Sequence, residues 1–224
     1  MVTQARHGVF KPNPRYGHVA TTTVSPLPSS VREDLRDPNW RLAMQEEFDA
    51  LSSNTTWMLV PGPPHTNVVT SKWVCWHKTS EDGSLERYKA LWVVRGFAQR
   101  PVVDYGETFS PIVKPATIRT VLTFASSLNW LVHQLDMKHA FLNGILDEQV
   151  YCYQPACFVD AHRKDHVCKL VKSLYGLKQA PRAWFQRFAT FAVTIGFTAS
   201  RFDTSLFILQ RGTDMAYLLV YVDD

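Results

Sequence analysis

The stretch SLFILQRGTDMAYLLVYVDD, residues 205–224, restricts the fold more than any other part of the sequence. It reads as a strand, a turn at Gly212 to Asp214, and a second strand whose last residues before Asp223, 217–222, are all aliphatic or aromatic. Such a run of β-forming side chains without polar alternation is the pattern of a fully buried strand. Two carboxylates, Asp223 and Asp224, stand at its tip. Adjacent like charges repel and cost desolvation unless a cation shares them. The doublet is therefore either a solvated turn or part of a cation site.

Upstream, helical and strand patterns alternate. Residues 1–36 include KPNPRYGHVATTTVSPLPSS, with four prolines and a Ser/Thr cluster, and read as an extended or disordered linker. Folded structure is expected from Asp37-Pro38, an N-cap with proline at the first helical position, and Trp40, Met44, Phe48 and Leu51 then form one apolar face. TNVVTSKWVCWHK and RYKALWVVRGF, joined by EDGS, read as a hairpin carrying lysines and arginines. A helix is predicted over 117–128, with Ile118, Val121, Leu122, Ala125 and Leu128 in phase. The first half of WLVHQLDMKHAFLNG reads as a strand, with Val132, Gln134 and Asp136 on one face and Leu131, His133 and Leu135 on the other. Neither face is cleanly apolar. After a mixed basic segment, Pro181 opens another helix, lined by Trp184, Phe188, Phe191 and Ile195 and closed by Gly196. Helices mixed with antiparallel hairpins give an α+β class.

Charge is unevenly spread. Residues 72–100 carry a net +3 and residues 161–190 a net +6, which leaves the remainder at −5 within a total of +4. Basic segments against an acidic remainder fit a polyanion held beside a cation-binding centre; solvated charged faces would give the same count. Four cysteines in 224 residues make no disulfide framework, and the sequon at Asn54 then carries no meaning. No signal peptide is apparent, and the longest apolar run, 215–222, is too short to span a bilayer. The expectation is an intracellular, reducing setting with no membrane partner.

If the strands ending at Asp136 and at Asp223-Asp224 are neighbours, three carboxylates converge. Mg²⁺ takes such sites, with waters and substrate phosphates completing its octahedron. Two such ions about 3.5–4 Å apart activate an attacking hydroxyl and stabilise a leaving pyrophosphate. Cys157, His162, His166 and Cys168 offer zinc-type ligands, but in no recognised spacing. No phosphate-binding glycine loop, HExxH or nucleophile elbow is present.

YVDD, QLDMKHAFLNG and KSLYGLKQAPRAW resemble motifs of the reverse transcriptase of copia-type LTR retrotransposons, and RYKA, GFAQ and DYGETFSPIVK are similar to its fingers-side motifs. The likeness runs from about Trp40 to Asp224, with several motifs in order and spacing. It implies right-hand polymerase fingers and palm, an antiparallel sheet packed on helices. The fingers would span 37–116 and 146–180, and the palm 117–145 and 181–224. By that resemblance Asp136, Asp223 and Asp224 hold two Mg²⁺ ions, with Mn²⁺ as a substitute. Phe141 is the gate beneath the incoming sugar, where its ring would clash with a 2′-hydroxyl. Tyr175, Gly176 and Lys178 line the nucleotide and template side, and Lys72, Lys78, Arg87 and Lys89 neutralise triphosphate or template phosphates. Each has an ordinary alternative: a core aromatic, a turn glycine, a solvated hairpin face. The implied partners are an RNA or DNA template with primer, dNTP, and polyprotein regions: integrase upstream, thumb and ribonuclease H downstream. The implied location is a cytoplasmic virus-like particle or the nucleus.

The sequence departs from the family pattern at Leu91, where arginine is usual, and at Val102 and Cys157, where glycine is usual. Side chains at the last two would be strained if those glycines need φ > 0. The strand expected to return after the acidic doublet is not in the sequence, nor are a thumb and ribonuclease H. The expectation is thus a polymerase lineage in a chain with little or no activity of its own. The alternatives are a non-catalytic nucleic-acid-binding remnant and, third, a zinc-stabilised interaction module.

Overall fold

The structure, a computed structural model, describes residues 24–28, 36–137 and 140–221. Helix α1 (Pro38–Ser53) begins where the sequence places it: the Asp37 side chain accepts hydrogen bonds from the Asn39 and Trp40 backbone N–H groups, and Pro38 sits where a missing N–H costs nothing. Its buried face, Trp40, Ala43, Met44, Glu47 and Leu51, lies on strand β4 (Leu85–Val94). Strand β3 (Ser71–Thr79) pairs antiparallel with β4, with Trp73 opposite Trp92 and Lys78 opposite Arg87. This is the expected hairpin. Alternation then fixes its two faces. Trp73, Cys75 and His77 share the α1 side with Tyr88, Ala90 and Trp92, while Lys72, Val74, Trp76 and Lys78 share the other with Arg87, Lys89, Leu91 and Val93.

A four-stranded sheet adjoins the same core in the order β1-β6-β5-β2, built from β1 (Trp57–Pro61), β2 (Val68–Val69), β5 (Tyr151–Cys152) and β6 (His166–Leu170). The sequence pattern does not reveal it. Two of its strands are two residues long, shorter than one full alternation, and β1 pairs with β6 across more than a hundred residues.

Helix α2 (Pro115–Ser127) agrees with the prediction in extent, but only Ala125 of its predicted face is buried, while Leu122 and Leu128 are exposed. Residues 131–137 correct a second expectation: they form no strand and are exposed throughout, Leu131 at 88 %. An extended segment becomes a strand only when a neighbour takes its backbone hydrogen bonds, and among the described residues none does.

Helix α3 (Ala180–Thr194) is rotated from the predicted face: Ala180, Ala183, Trp184, Phe185 and Ala192 are buried, whereas Phe191 and Ile195 turn outward. Small alanines admit residues 140–144 on one side of the helix. Gly196, at φ +100, ends it as expected. The last sheet runs β7 (Thr198–Ala199), β8 (Leu206–Arg211), β9 (Asp214–Leu219), with β9 at its edge among the described residues. Among the described residues the predicted fully buried strand is half-buried over Tyr217 to Leu219, and Val220 beyond it is enclosed. Two cores result: a larger one around Met44, Leu51, Trp92 and Leu174, and a smaller one around Trp184, Phe185, Phe207 and Val220. Phe141 packs against both. The class is α+β, as predicted.

Candidate active site

Asp136 is the one predicted metal-binding carboxylate within the described residues; Asp223 and Asp224 lie outside them. Beyond α2 the backbone N–H of Trp130 donates to the Ala125 carbonyl at 2.8 Å, and the indole rests against Tyr217 of β9 with ring centroids 5.5 Å apart. That contact ties the segment leading to Asp136 to the strand leading to Asp223. The Asp136 carboxylate itself faces solvent. An exposed carboxylate is the hard oxygen donor that Mg²⁺ takes, so it fits the implied ion. Among the described residues no group of three or more His, Cys, Asp or Glu side chains is gathered closely enough to hold a metal. The four zinc-type ligands are dispersed: His166 pairs with Asp165 at 3.1 Å, and Cys168 lies opposite Cys152 between β6 and β5.

Phe141 and Tyr175 are brought together, edge to face, with centroids 6.0 Å apart. Phe141 sits on a 3₁₀ turn (Ala140–Asn143), and its carbonyl accepts from the Ser173 hydroxyl and the Gly144 N–H. Gly144 is obligatory there, because a Cβ would lie 2.6 Å from the Ser173 Oγ and 2.8 Å from the Trp184 N. Tyr175 is half-buried; burial raises its phenol pKa, and the Glu47 charge adds to the shift. Glu47 is a group that sequence reasoning missed. Burial pushes its carboxyl up to about 7, against the Trp92 backbone N–H and the Lys89 charge, which lower it.

Gly176 has φ +86, and a Cβ on it would sit 2.1 Å from the Val94 carbonyl oxygen. Gly96 mirrors it, since a Cβ there would sit 2.0 Å from the Gly176 oxygen. The YGLK motif and the end of β4 therefore cross backbone against backbone, sealed by the Val94 N–H donating to the Tyr175 carbonyl at 2.8 Å. Lys178 folds over Tyr105, its Nζ 4.7 Å from the ring centroid and 3.0 Å from the hydroxyl.

Behind these residues lies a buried polar hub that periodicity gave no means of finding. Gln99 donates to Gln179 at 3.0 Å, Gln179 donates to the Asp104 carbonyl at 3.0 Å, and the Lys178 N–H donates to Gln99 at 3.0 Å. The Asp104 carboxylate in turn accepts from the Asn67 amide and from the Arg100 N–H. All three hub residues are buried. The one available signal was the recurrence of glutamine in GFAQ and GLKQ, polar residues inside otherwise apolar motifs.

The four predicted finger cations share the hairpin face away from α1. They differ in freedom. Lys78 is paired with Glu86 at 2.5 Å, Lys89 lies over the Trp76 ring at 5.6 Å, and Lys72 and Arg87 are exposed.

The family model described as reverse transcriptase (RNA-dependent DNA polymerase) matches residues 54–224. The chain belongs to the reverse transcriptase family. It is of the copia type: it is 48 % identical, over its whole length, to the retrovirus-related Pol polyprotein from transposon RE1 of Arabidopsis thaliana. It is 43 % identical, over 88 % of its length, to the corresponding polyprotein from transposon TNT 1-94 of Nicotiana tabacum. It spans 15 % of each of those polyproteins. An uncharacterized mitochondrial protein of Arabidopsis thaliana is 43 % identical over 68 % of this chain and is itself 90 % covered. No solved structure matches.

Two positions of this reverse transcriptase domain at which the resemblance implies glycine have an unusual backbone. Val102 has φ +68 and Cys157 has φ +80, in the left-handed region that glycine enters freely. The sequence-based expectation of strain at both positions holds. Leu91 lies between Lys89 and Val93 on the cationic face and opposite Val74, so an arginine there would extend that face.

Proposed function

We propose that this chain is the fingers and palm of an RNA-directed DNA polymerase, joining dNTP to a primer 3′-hydroxyl by two-metal nucleotidyl transfer. Asp136, Asp223 and Asp224 would hold the ions, which activate the hydroxyl and stabilise the leaving pyrophosphate. The observation that carries this reading is the Trp130–Tyr217 contact. It joins two segments that reach an acid after the same number of residues, Trp130 to Asp136 and Tyr217 to Asp223. Phe141, wedged between two cores and against Tyr175, is rigid enough to act as a steric gate against a 2′-hydroxyl. Lys72 and Arg87 are the cations open to template or triphosphate, while Gly176 supports the site by letting two backbones cross. Template-primer, dNTP and the remaining polyprotein regions are the proposed partners, in a virus-like particle or the nucleus.

Incorporation by the chain alone is proposed to be weak. Among the described residues no strand lies beside residues 131–137, which carry Asp136, and Leu91 stands where the resemblance implies a cation on the triphosphate side. Primer extension with Mg²⁺ on an RNA template tests both parts. Weak incorporation that disappears in Asp136→Asn is expected. Robust incorporation would overturn the weakness, and incorporation indifferent to Asp136→Asn would overturn the metal assignment. The cationic hairpin face also favours a second reading, a nucleic-acid-binding remnant. That reading requires template binding unaltered by chelator and by dNTP, with no extension at all.

A further inference from the structure

Residues 24–28 belong to the proline-rich segment read from sequence as a linker, yet they lie against the folded body. The Ser25 N–H donates to the Tyr88 hydroxyl at 2.9 Å, and the Trp40 indole N–H donates to the Pro26 carbonyl at 2.9 Å. His77 Nε2 lies 2.9 Å from the Ser25 carbonyl, which can only accept, so that nitrogen carries the proton. Asn39 donates to the Ser25 hydroxyl at 3.1 Å, and that hydroxyl also engages Asp37.

Three of these five partners, Trp40, His77 and Tyr88, have rings that touch one another. Trp40 is 5.1 Å from His77 and 4.8 Å from Tyr88, and His77 is 5.4 Å from Tyr88, centroid to centroid. The triad draws on α1, β3 and β4 at once, which gives it a fixed shape. Trp40 is only 1 % exposed, although it stands in the first turn of its helix. What the cradle reads is backbone: both carbonyls and one N–H of Ser25-Pro26 are bound, while the Leu27 side chain is 57 % exposed. An aromatic-lined groove with polar ring atoms aimed at an extended main chain is how proline-rich peptides are recognised. Proline suits the position because its φ is already fixed and it has no N–H to leave unpaired.

We propose that Trp40, His77 and Tyr88 form a recognition site for an extended, proline-containing peptide, occupied within this chain by residues 24–28. Residues 24–28 lie on the α1 side of the hairpin, away from the face bearing Lys72 and Arg87. The inference does not depend on polymerase activity.

The test uses the full chain with its indole nitrogens labelled, so that the seven Trp side chains report separately by NMR. In the double variant Ser25→Asp, Pro26→Gly, a carboxylate faces Asp37 and the fixed φ is lost. The Trp40 indole N–H is expected to shift and to exchange with solvent at least tenfold faster, the other six remaining unchanged. A synthetic peptide, TTTVSPLPSSVR, added to this variant should return the Trp40 signal to its original position. It should leave the unaltered chain unaffected, because a tethered segment competes at an effective concentration of order millimolar. Tyr88→Phe in the unaltered chain removes one hydroxyl and should raise Trp40 indole exchange about fivefold, the factor for one hydrogen bond. This second measurement stands even if the double variant misfolds. An unchanged Trp40 signal in either variant, failure of the peptide to restore it, or equal restoration by a peptide with both prolines replaced by alanine would overturn the proposal.

Discussion

At the scale of single residues, the backbone angle decides what a side chain costs. Val102 holds φ +68 with its side chain 93 % exposed, so the valine gains no packing from a conformation that repels its Cβ. Val102→Gly should therefore stabilise the protein by about 1 kcal/mol, the left-handed penalty less the entropy glycine adds to the unfolded chain. A rise of about 3 °C in the melting temperature would register it. Glu47 is the opposite case, a good conformation in a poor environment. One carboxylate oxygen is buried without a hydrogen-bond partner among the described residues, and the pKa is pushed up to about 7. The folded state thus holds a proton that the unfolded state releases above the ordinary value of 4.5. Stability falls as pH rises from there towards 7 and is level beyond it. Glu47→Gln should stabilise by about 3 kcal/mol at pH 8 and hardly at all at pH 4, read from urea denaturation at the two values.

At the scale of elements, the hairpin and the 131–137 segment show two outcomes of β-propensity. β3 and β4 are joined by a short turn and pair in register over most of their length, so alternation places every finger cation on one face. Leu91 interrupts that face. Leu91→Arg should strengthen template binding and steepen the dependence of log K on log salt by about 0.7–0.9, the increment for one more phosphate contact. A salt titration of fluorescent RNA–DNA hybrid binding measures it, and an unchanged slope would place Leu91 away from the nucleic acid. Residues 131–137 have comparable strand propensity, but their apolar side chains fall on both faces and β9 offers them no paired edge among the described residues. Propensity proposes a strand; only a partner makes one. The same reasoning explains β9, whose apolar run looks buried in sequence and lies at a sheet edge among the described residues.

At the scale of the whole molecule, separate motifs become one body through a few contacts that no local pattern encodes. Gln99 and Gln179 are eighty positions apart and hydrogen-bonded in the interior. Gln179→Ala would leave the Gln99 amide and the Asp104 carbonyl buried without a partner, at about 1–3 kcal/mol for each unsatisfied group. We expect a fall of about 2–4 kcal/mol in unfolding free energy, seen as a lower urea midpoint at unchanged slope. Asp203 plays a similar part at the other core, accepting from the Lys114 N–H, the Thr117 hydroxyl and the Ser205 N–H to pin α2 to the approach of β8. Burial alone would raise its pKa, but these hydrogen bonds outweigh it and lower the value.

Helix α1 with its Asp37 cap, the β3–β4 hairpin, the extents of α2 and α3 and the family were legible because each rests on residues close in sequence. Capping, alternation and helical period are local rules, and the motifs are contiguous words. The positive φ at Val102 and Cys157 was anticipated through the resemblance, which implies glycine at both positions. What lay beyond the sequence was every feature that needs two distant segments. These are the four-stranded sheet, the crossing of Gly96 and Gly176, the glutamine hub, the raised pKa of Glu47 and the docking of residues 24–28 on three rings. Burial, pairing and pKa are set by neighbours in space, and only the folded chain determines who those neighbours are.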